Sequence, residues 1–374
     1  MKLITYITLA ILVTCIEPVE NFNGTPIENY YELQALLNVG GNITITKDTV
    51  EIETFKGVDS INALVISKAT NLTFNNIKLI GQENTSFHLF SVERGNFDVT
   101  IDGNCIAPLD ANPSQPDASH AFPNIIDLWT YNSVISGNGE TRTITLKNST
   151  SDNYWCNIIK STGGGYENNH TIINLENIDH VTRGGGVTVF SGGTPYVDLN
   201  MTNVKIKTII KGGQIHYGHS GYVHEIVNTN FNDVEIDGCH FDLRSTERQD
   251  FNTIHYFDNL NMINGSMLIK NGGSSTTYSL SIFQNSTVTG AFYGKLSLKN
   301  TTINGGVYKG FKTLGGNLLN IAGNDFETDV IDLRLDTVKM KSYYFMNVGA
   351  NVTIDVSAES KAPKVPNGTL TIIQ

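Results

Sequence analysis

Residues 173–178 read INLENI and residues 199–204 read LNMTNV. Both run apolar, polar, apolar, polar, asparagine, apolar. The phrase stands earlier as LTFNNI at 72–77 and returns as Val99-Thr-Ile101-Asp-Gly, Ile144-Thr-Leu146-Lys-Asn148, Val234-Glu-Ile236-Asp-Gly, Leu260-Asn-Met262, Leu280-Ser-Ile282, Leu296-Ser-Leu298-Lys-Asn300 and Val352-Thr-Ile354-Asp. Alternation with period 2 gives each segment one apolar face, and Asn, Asp or Gly at its end turns the chain. Copies recur about every 26 residues in the middle of the chain and roughly every 16 to 20 later, a period that suits one coil of a solenoid. The expectation is an all-β, single-stranded, right-handed parallel β-helix with coils about 4.8 Å apart. Leu72, Phe74, Val99, Ile101, Leu175, Leu199, Val234, Ile236, Leu296 and Leu298 are then expected to share one interior stack.

A stack of strands exposes unpaired edges at its ends, so an N-terminal cap is expected. Thr25-Pro26-Ile27-Glu28, followed by Tyr30, Tyr31, Leu33, Ala35, Leu36 and Leu37, reads as a capping helix over 25–38, closed by Val39-Gly40-Gly41-Asn42. Thr25 suits the N-cap, Pro26 the first helical position, and Glu28 the reciprocal partner of the cap. Residues 21–374 form one domain on this reading. Ahead of it, Met1 and Lys2 followed by the apolar run Leu3 to Ile16 read as a secretory signal or hydrophobic leader over 1–20, shorter than the roughly 20 residues that span a bilayer. The product is expected to be secreted or at the cell surface. Cys15 within Leu12-Val13-Thr14-Cys15 is a weak match to a lipid-attachment box.

Composition narrows the function. The 374 residues carry 25 Lys and Arg against 36 Asp and Glu, a net charge of −11. Basic residues so few and scattered cannot track a run of phosphates, which argues against a nucleic-acid partner. With 40% hydrophobic residues the chain can bury a core, which excludes wholesale disorder. Four cysteines, Cys15, Cys105, Cys156 and Cys239, are too few and too dispersed for a disulfide framework and read as buried thiols. Twelve Asn-x-Ser/Thr sequons are present, an excess that the abundance of Asn, Ser and Thr largely explains.

The run YYELQALLNVGGNITI at 30–45, followed by NLTFNNIKLIG at 71–81 and the repeated asparagine phrases, resembles the pectin-lyase-like right-handed β-helix superfamily over nearly the whole chain after residue 24. The resemblance implies an extended extracellular polysaccharide as partner. It leaves the activity open, because the fold carries lyases, hydrolases, tailspikes and non-catalytic adhesins alike. Against the polygalacturonase motifs the chain offers Asn177-Ile-Asp179, Asp198, Gly218-His219-Ser220 and Arg244. It lacks the second Asp of the Asp-Asp pair, the last Gly and the Lys. Asp198 precedes its turn whereas Asp179 follows one, so they are expected on different faces and cannot act as a pair.

Candidate site residues come from the outward positions. In the coil from Val234 to Arg244, residues Val234, Ile236, Cys239, Phe241 and Leu243 are expected inward, leaving His240, Asp242 and Arg244 on one outward strip. Lys205 and Lys207, outward in the preceding coil, are expected beside His240 and Asp242. The step from Leu199 to Val234 exceeds its neighbours by about nine residues. The surplus maps onto a projecting loop, Lys211 to His224, that carries His216, Tyr217, His219, Tyr222 and His224. Tyr rings suit sugar faces, and His transfers protons near neutral pH.

As a lyase, the protein would use His219, His224 or His240 as base and Arg244, Lys205 or Lys207 against the developing enediolate. Asp242 with Glu247 is the local carboxylate pair a hydrolase would need. The competing class is a non-catalytic adhesin or a phage or virion spike, trimeric if spike-like, on which the same charges form a solvated ladder. A zinc site from His216, His219 and His224 lacks a helix to fix its spacing. Asp325, Glu327 and Asp329 can hold calcium; no other cofactor is implied. Asp110, Asp117 and His120, in a segment punctuated by Pro108, Pro113, Pro116 and Pro123, are the reserve site.

Overall fold

The structure is a computed structural model that describes residues 22–53, 63–80, 88–93, 95–107, 124–129, 141–162, 170–190, 196–208, 221–224, 226–238, 240–245, 253–264, 266–271, 279–292, 295–299, 302–305, 330–335, 351–356 and 370–373. One helix, α1 (Pro26–Val39), is followed by strands that all pair in parallel. The first are β1 (Gly41–Thr44), β2 (Val50–Glu53), β3 (Leu64–Ile66), β4 (Thr70–Ile80), β5 (His88–Val92), β6 (Val99–Ile106), β7 (Asn124–Trp129) and β8 (Thr141–Thr162). Next come β9 (His170–Phe190), β10 (Tyr196–Thr208), β11 (Gly221–His224), β12 (Ile226–Asp237), β13 (His240–Ser245), β14 (Thr253–Ile263), β15 (Ser266–Asn271) and β16 (Ser279–Gln284). The last are β17 (Thr287–Phe292), β18 (Lys295–Lys299), β19 (Thr302–Gly305), β20 (Val330–Leu335), β21 (Asn351–Val356) and β22 (Leu370–Ile373). The result is the expected parallel β-helix with a helix at its N-terminal end.

The repeated phrase builds one ladder in the order β1, β4, β6, β8, β9, β10, β12, β14, β16, β18. Leu72, Phe74, Val99, Ile101, Leu175, Leu199, Val234 and Ile236 are all buried. Leu296 and Leu298 align with Ser281 and Phe283. Farther along, Phe231, Phe257 and Phe283 make an interior aromatic column, T-shaped at 5.2 Å and then stacked at 4.6 Å. Offset and edge-on contacts of this kind add stabilisation beyond area burial.

From β8 to β16 the turn after the phrase puts an Asn or Asp in the left-handed region: Asn148, Asn177, Asn203, Asp233, Asn259 and Asn285 have φ between 49° and 56°. These residue types tolerate that conformation best among non-glycines. Their side chains also join neighbouring coils. Asn148 Nδ2 donates to Asp102 Oδ1 at 2.7 Å, Asn177 Nδ2 to Asn148 Oδ1 at 2.9 Å, and Asn203 Nδ2 to Asn177 Oδ1 at 2.9 Å. Asn259 Nδ2 donates to Asp233 Oδ1 at 2.7 Å.

The cap forms as expected. Thr25 N and Oγ1 both donate to Glu28 Oε2, at 2.7 and 2.8 Å. These bonds hold the Glu28 carboxyl below its usual range, the backbone contact first. Leu33 and Leu37 are buried against the first coil. Asn29 Nδ2 donates to Glu51 O at 2.9 Å, closing part of the free edge of β2.

Register corrects two expectations. Leu199 stands opposite Thr229, while Val234 stands opposite Val204. The phrase at Val234 is therefore the strand after the asparagine corner, not the counterpart of Leu199. The step between these coils is 30 residues, against 26 for Ile173 to Leu199 and for Phe231 to Phe257, so the surplus is about four residues and not nine. Moreover Gly221–His224, expected in the projecting loop, is strand β11, paired with β13 and touching β9 at Val223 opposite Val189. In the phrase at 280–282 the apolar residues run out of phase with burial: Ser281 and Phe283 are buried and Ile282 only half-buried.

Candidate functional site

Lys205 and Lys207 are exposed on β10, as expected. Their neighbours are not the expected ones. Lys205 lies between Asp179 and Glu235 in register, and Lys207 stands opposite Asp237. After Asp237 the chain bends at Gly238, whose φ is 78°. His240, Asp242 and Arg244 thus belong to a different sheet, β11, β13 and β15, from the strand that carries the lysines. The lysines join an alternating-charge ladder in place of the His240 strip.

Within that sheet the backbone brings expected residues together. Tyr222 stands opposite Asp242 and His224 opposite Arg244. On the far side Asp242 stands opposite Leu268 and Arg244 opposite Lys270, a second cation position that the sequence reading missed. Phe241 aligns in register with Met267, which is buried. One residue separates His224, the end of β11, from Ile226, the start of β12, so this strip ends at a corner of the coil.

Across that corner lies a group the sequence reading used only in part. His170 Nε2 and Asp198 Oδ2 are 2.9 Å apart, with side chains 36% and 22% exposed. Asn228 Nδ2 donates to the other oxygen, Asp198 Oδ1, at 3.1 Å. Asn228 Oδ1 in turn accepts from Ile254 N at 3.1 Å. Asp179, by contrast, pairs in register with Lys205 beyond the asparagine corner, so Asp198 and Asp179 lie on different faces as expected. The signal for His170 was its place two residues before Ile172, on the same outward parity as Asp198.

A second constellation has the residue types of nucleophilic catalysis but is sealed. Ser149 Oγ accepts from Cys105 N at 3.1 Å and lies 2.9 Å from His180 Nε2, and all three residues are 0% exposed. Burial pushes the Cys105 thiol up to about 12 and His180 down to about 3. At neutral pH the thiol stays protonated and the imidazole stays neutral, with no path to substrate, so the trio ties three coils together. His88 and Asp127, 3.4 Å apart, are likewise buried, and Asn124 Nδ2 donates to His88 Nδ1 at 2.8 Å.

The expected residues His216, Tyr217, Gly218, His219, Ser220 and Glu247 lie outside the described residues, as do Asp325, Glu327 and Asp329, the reserve site Asp110, Asp117 and His120, and Cys15 and Cys239. Among the described residues no group of three or more His, Cys, Asp or Glu is gathered as metal ligands, and no helix is long and apolar enough to cross a membrane. Compared with protein-family models, with curated proteins and with solved structures, the chain matched none.

Proposed function

We propose that this chain is an exported β-helix of the pectin-lyase-like kind that binds an extended polysaccharide across the corner between the β11–β13–β15 sheet and the start of β10, β12 and β14, and cleaves it by elimination. The single observation that carries the reading is the register of Tyr222 with Asp242 and of His224 with Arg244. In sequence terms these are a Tyr, an Asp, a His and an Arg at positions on two adjacent rungs. Arg244 and Lys270, neighbours in register, suit the carboxylate of a uronate sugar, which an acidic chain can attract only through a local cluster of cations. Elimination is preferred to hydrolysis because Asp242 stands between Tyr222 and Leu268 in register, with no second carboxylate beside it among the described residues. Export rests on the apolar leader from Leu3 to Ile16.

Affinity electrophoresis and unsaturated-product absorbance across neutral, uronate and sulfated polymers test this reading. Tyr222→Ala is expected to weaken binding to all of them, and Arg244→Ala to weaken binding to the anionic ones most. Binding without product would favour the adhesin or spike reading. Equal binding by both variants and the parent chain would place any glycan contact elsewhere.

A further inference from the structure

We propose that His170 and Asp198 form an acid–base dyad in which His170 moves the proton during cleavage of the glycan bound at this corner; the inference rests on the polysaccharide reading above. Four of the nine histidines have described side chains, and three of them, His88, His180 and His255, are buried to 7% exposure or less. His170 is the one whose ring reaches solvent. A carboxylate oxygen can only accept, so the 2.9 Å contact to Asp198 puts a proton on His170 Nε2, and in the neutral ring the lone pair is then on Nδ1.

The carboxylate is itself held. Asn228 Nδ2 occupies its second oxygen, and Asn228 is fixed by the main chain of Ile254 in the following coil. A surface ion pair leaves its carboxylate free to turn. Here both oxygens are engaged, which matches the arrangement of a base oriented by a third group.

Topology sets the dyad beside the proposed glycan path. His170 stands opposite Tyr196, and Val197 opposite Ile226, two residues after His224. The separation along the axis is thus two rungs, about 10 Å, and Arg244 lies one rung further, so one extended chain meets the dyad and the cation strip through different sugars. The same outward face carries Asn174 and Asn200, linked by a 2.9 Å amide contact, and Ile254, 47% exposed. Amide groups suit sugar hydroxyls, and an apolar side chain suits the ring face.

The step balances without an oxidant or a further reactant. His170 Nδ1 takes the proton from the carbon beside the uronate carboxylate. That C–H electron pair becomes the carbon–carbon double bond, the carbon–oxygen bond to the leaving sugar breaks, and the leaving oxygen takes a proton from water or from the imidazolium. Asp198, a positioning residue, holds the ring in the tautomer with Nδ1 free and balances the imidazolium charge.

The test uses the full chain with polygalacturonate and alginate, reading product absorbance, affinity electrophoresis and the ¹⁵N shifts of the His170 ring. His170→Gln is expected to lose about 100-fold or more of the rate with binding within about twofold. Asp198→Asn is expected to lose rate and to move the ring proton from Nε2 to Nδ1, while Asp198→Glu recovers part of both. Cleavage by His170→Gln within about threefold of the parent rate overturns the dyad, as does binding by the parent chain with no product on either polymer. Each of these leaves polysaccharide binding standing. No binding by the parent chain removes the polysaccharide reading and the dyad with it. If the variants fail to fold, the parent ring decides, because a neutral ring with its single proton on Nδ1 overturns the proposal.

Discussion

The side-chain amide of Gln34 pairs with both main-chain groups of Val65. Gln34 Nε2 donates to Val65 O at 2.9 Å, and Val65 N donates to Gln34 Oε1 at 2.8 Å. A helix side chain thereby takes the place of the missing strand at the outer edge of β3. An unpaired edge is a template for another chain, so this contact protects the rod as well as stabilising it.

Gln34→Ala should therefore act twice. Losing both partly buried bonds is expected to cost about 1–3 kcal/mol, read as a lowered urea midpoint. Size-exclusion chromatography should show concentration-dependent association that Gln34→Glu, which keeps only the acceptor, reduces less than full restoration does. A monomeric Gln34→Ala with an unchanged midpoint would mean that α1 caps by its apolar face alone.

Gly103 faces the bulge where Phe74 and Asn75 interrupt the pairing of β4 with β6. Its φ is 154°, and a Cβ there would sit 2.3 Å from Phe74 O. Because that neighbour is backbone, Gly103→Ala must displace β4 and is expected to cost on the order of 2–4 kcal/mol. Gly95→Ala makes a useful contrast: it shares a positive φ, 150°, but its Cβ would meet the ring of Phe97 and not backbone, so the smaller loss should fall there. Differential scanning calorimetry distinguishes the two.

Asn177 separates the backbone cost of the corner from the value of its ladder. It holds φ at 54°, donates to Asn148 and accepts from Asn203. Asn177→Gly keeps the conformation and loses the ladder contacts. Asn177→Ala loses the same contacts and adds about 1–2 kcal/mol for a left-handed alanine. The melting temperature should fall in the order Asn, Gly, Ala; equal losses would assign the position to the ladder alone.

Two buried imidazoles make the fold acid-sensitive. Burial lowers both His180 and His255 to about 3 from 6.5, and His255 Nδ1 sits 3.0 Å from Thr229 Oγ1. The unfolded chain binds these protons first. Their contribution is therefore complete above about pH 6.5 and is lost as pH falls toward 3, at about 1.4 kcal/mol per pH unit for each. Urea midpoints between about pH 6.5 and 5.5, above the range of ordinary carboxylates, should drop. His255→Phe, in contact with Phe257, should flatten the slope. A midpoint independent of pH in this window would contradict the burial of both rings.

The coil was legible in the phrase itself. Alternation decides which residues of Ile173-Asn-Leu175 turn inward, and a non-glycine that can hold a positive φ marks where the coil bends. Such choices are local, set by the chirality of a residue and the pleat of a strand, so they can be read without a structure. The cap was legible for the same reason, since Thr25 and Glu28 meet within one helical turn.

Registration between coils was not legible, because apolar alternation occurs on both sides of each asparagine corner. Val234 matches Leu199 in pattern, yet it sits on Val204, and that shift moved Lys205 and Lys207 to Glu235 and Asp237. Likewise His170, Asp198 and Asn228 are separated by 28 and 30 residues and meet only because successive coils stack. Hydrogen bonding between coils selects one alignment among several that bury the same apolar faces. The residue sequence thus determined that the chain coils and, in most phrases, which side chains fill the interior; at Ser281 and Phe283 stacking chose the opposite parity. Only the stacked backbone decided which polar side chains share the surface, since that depends on the length of every intervening turn.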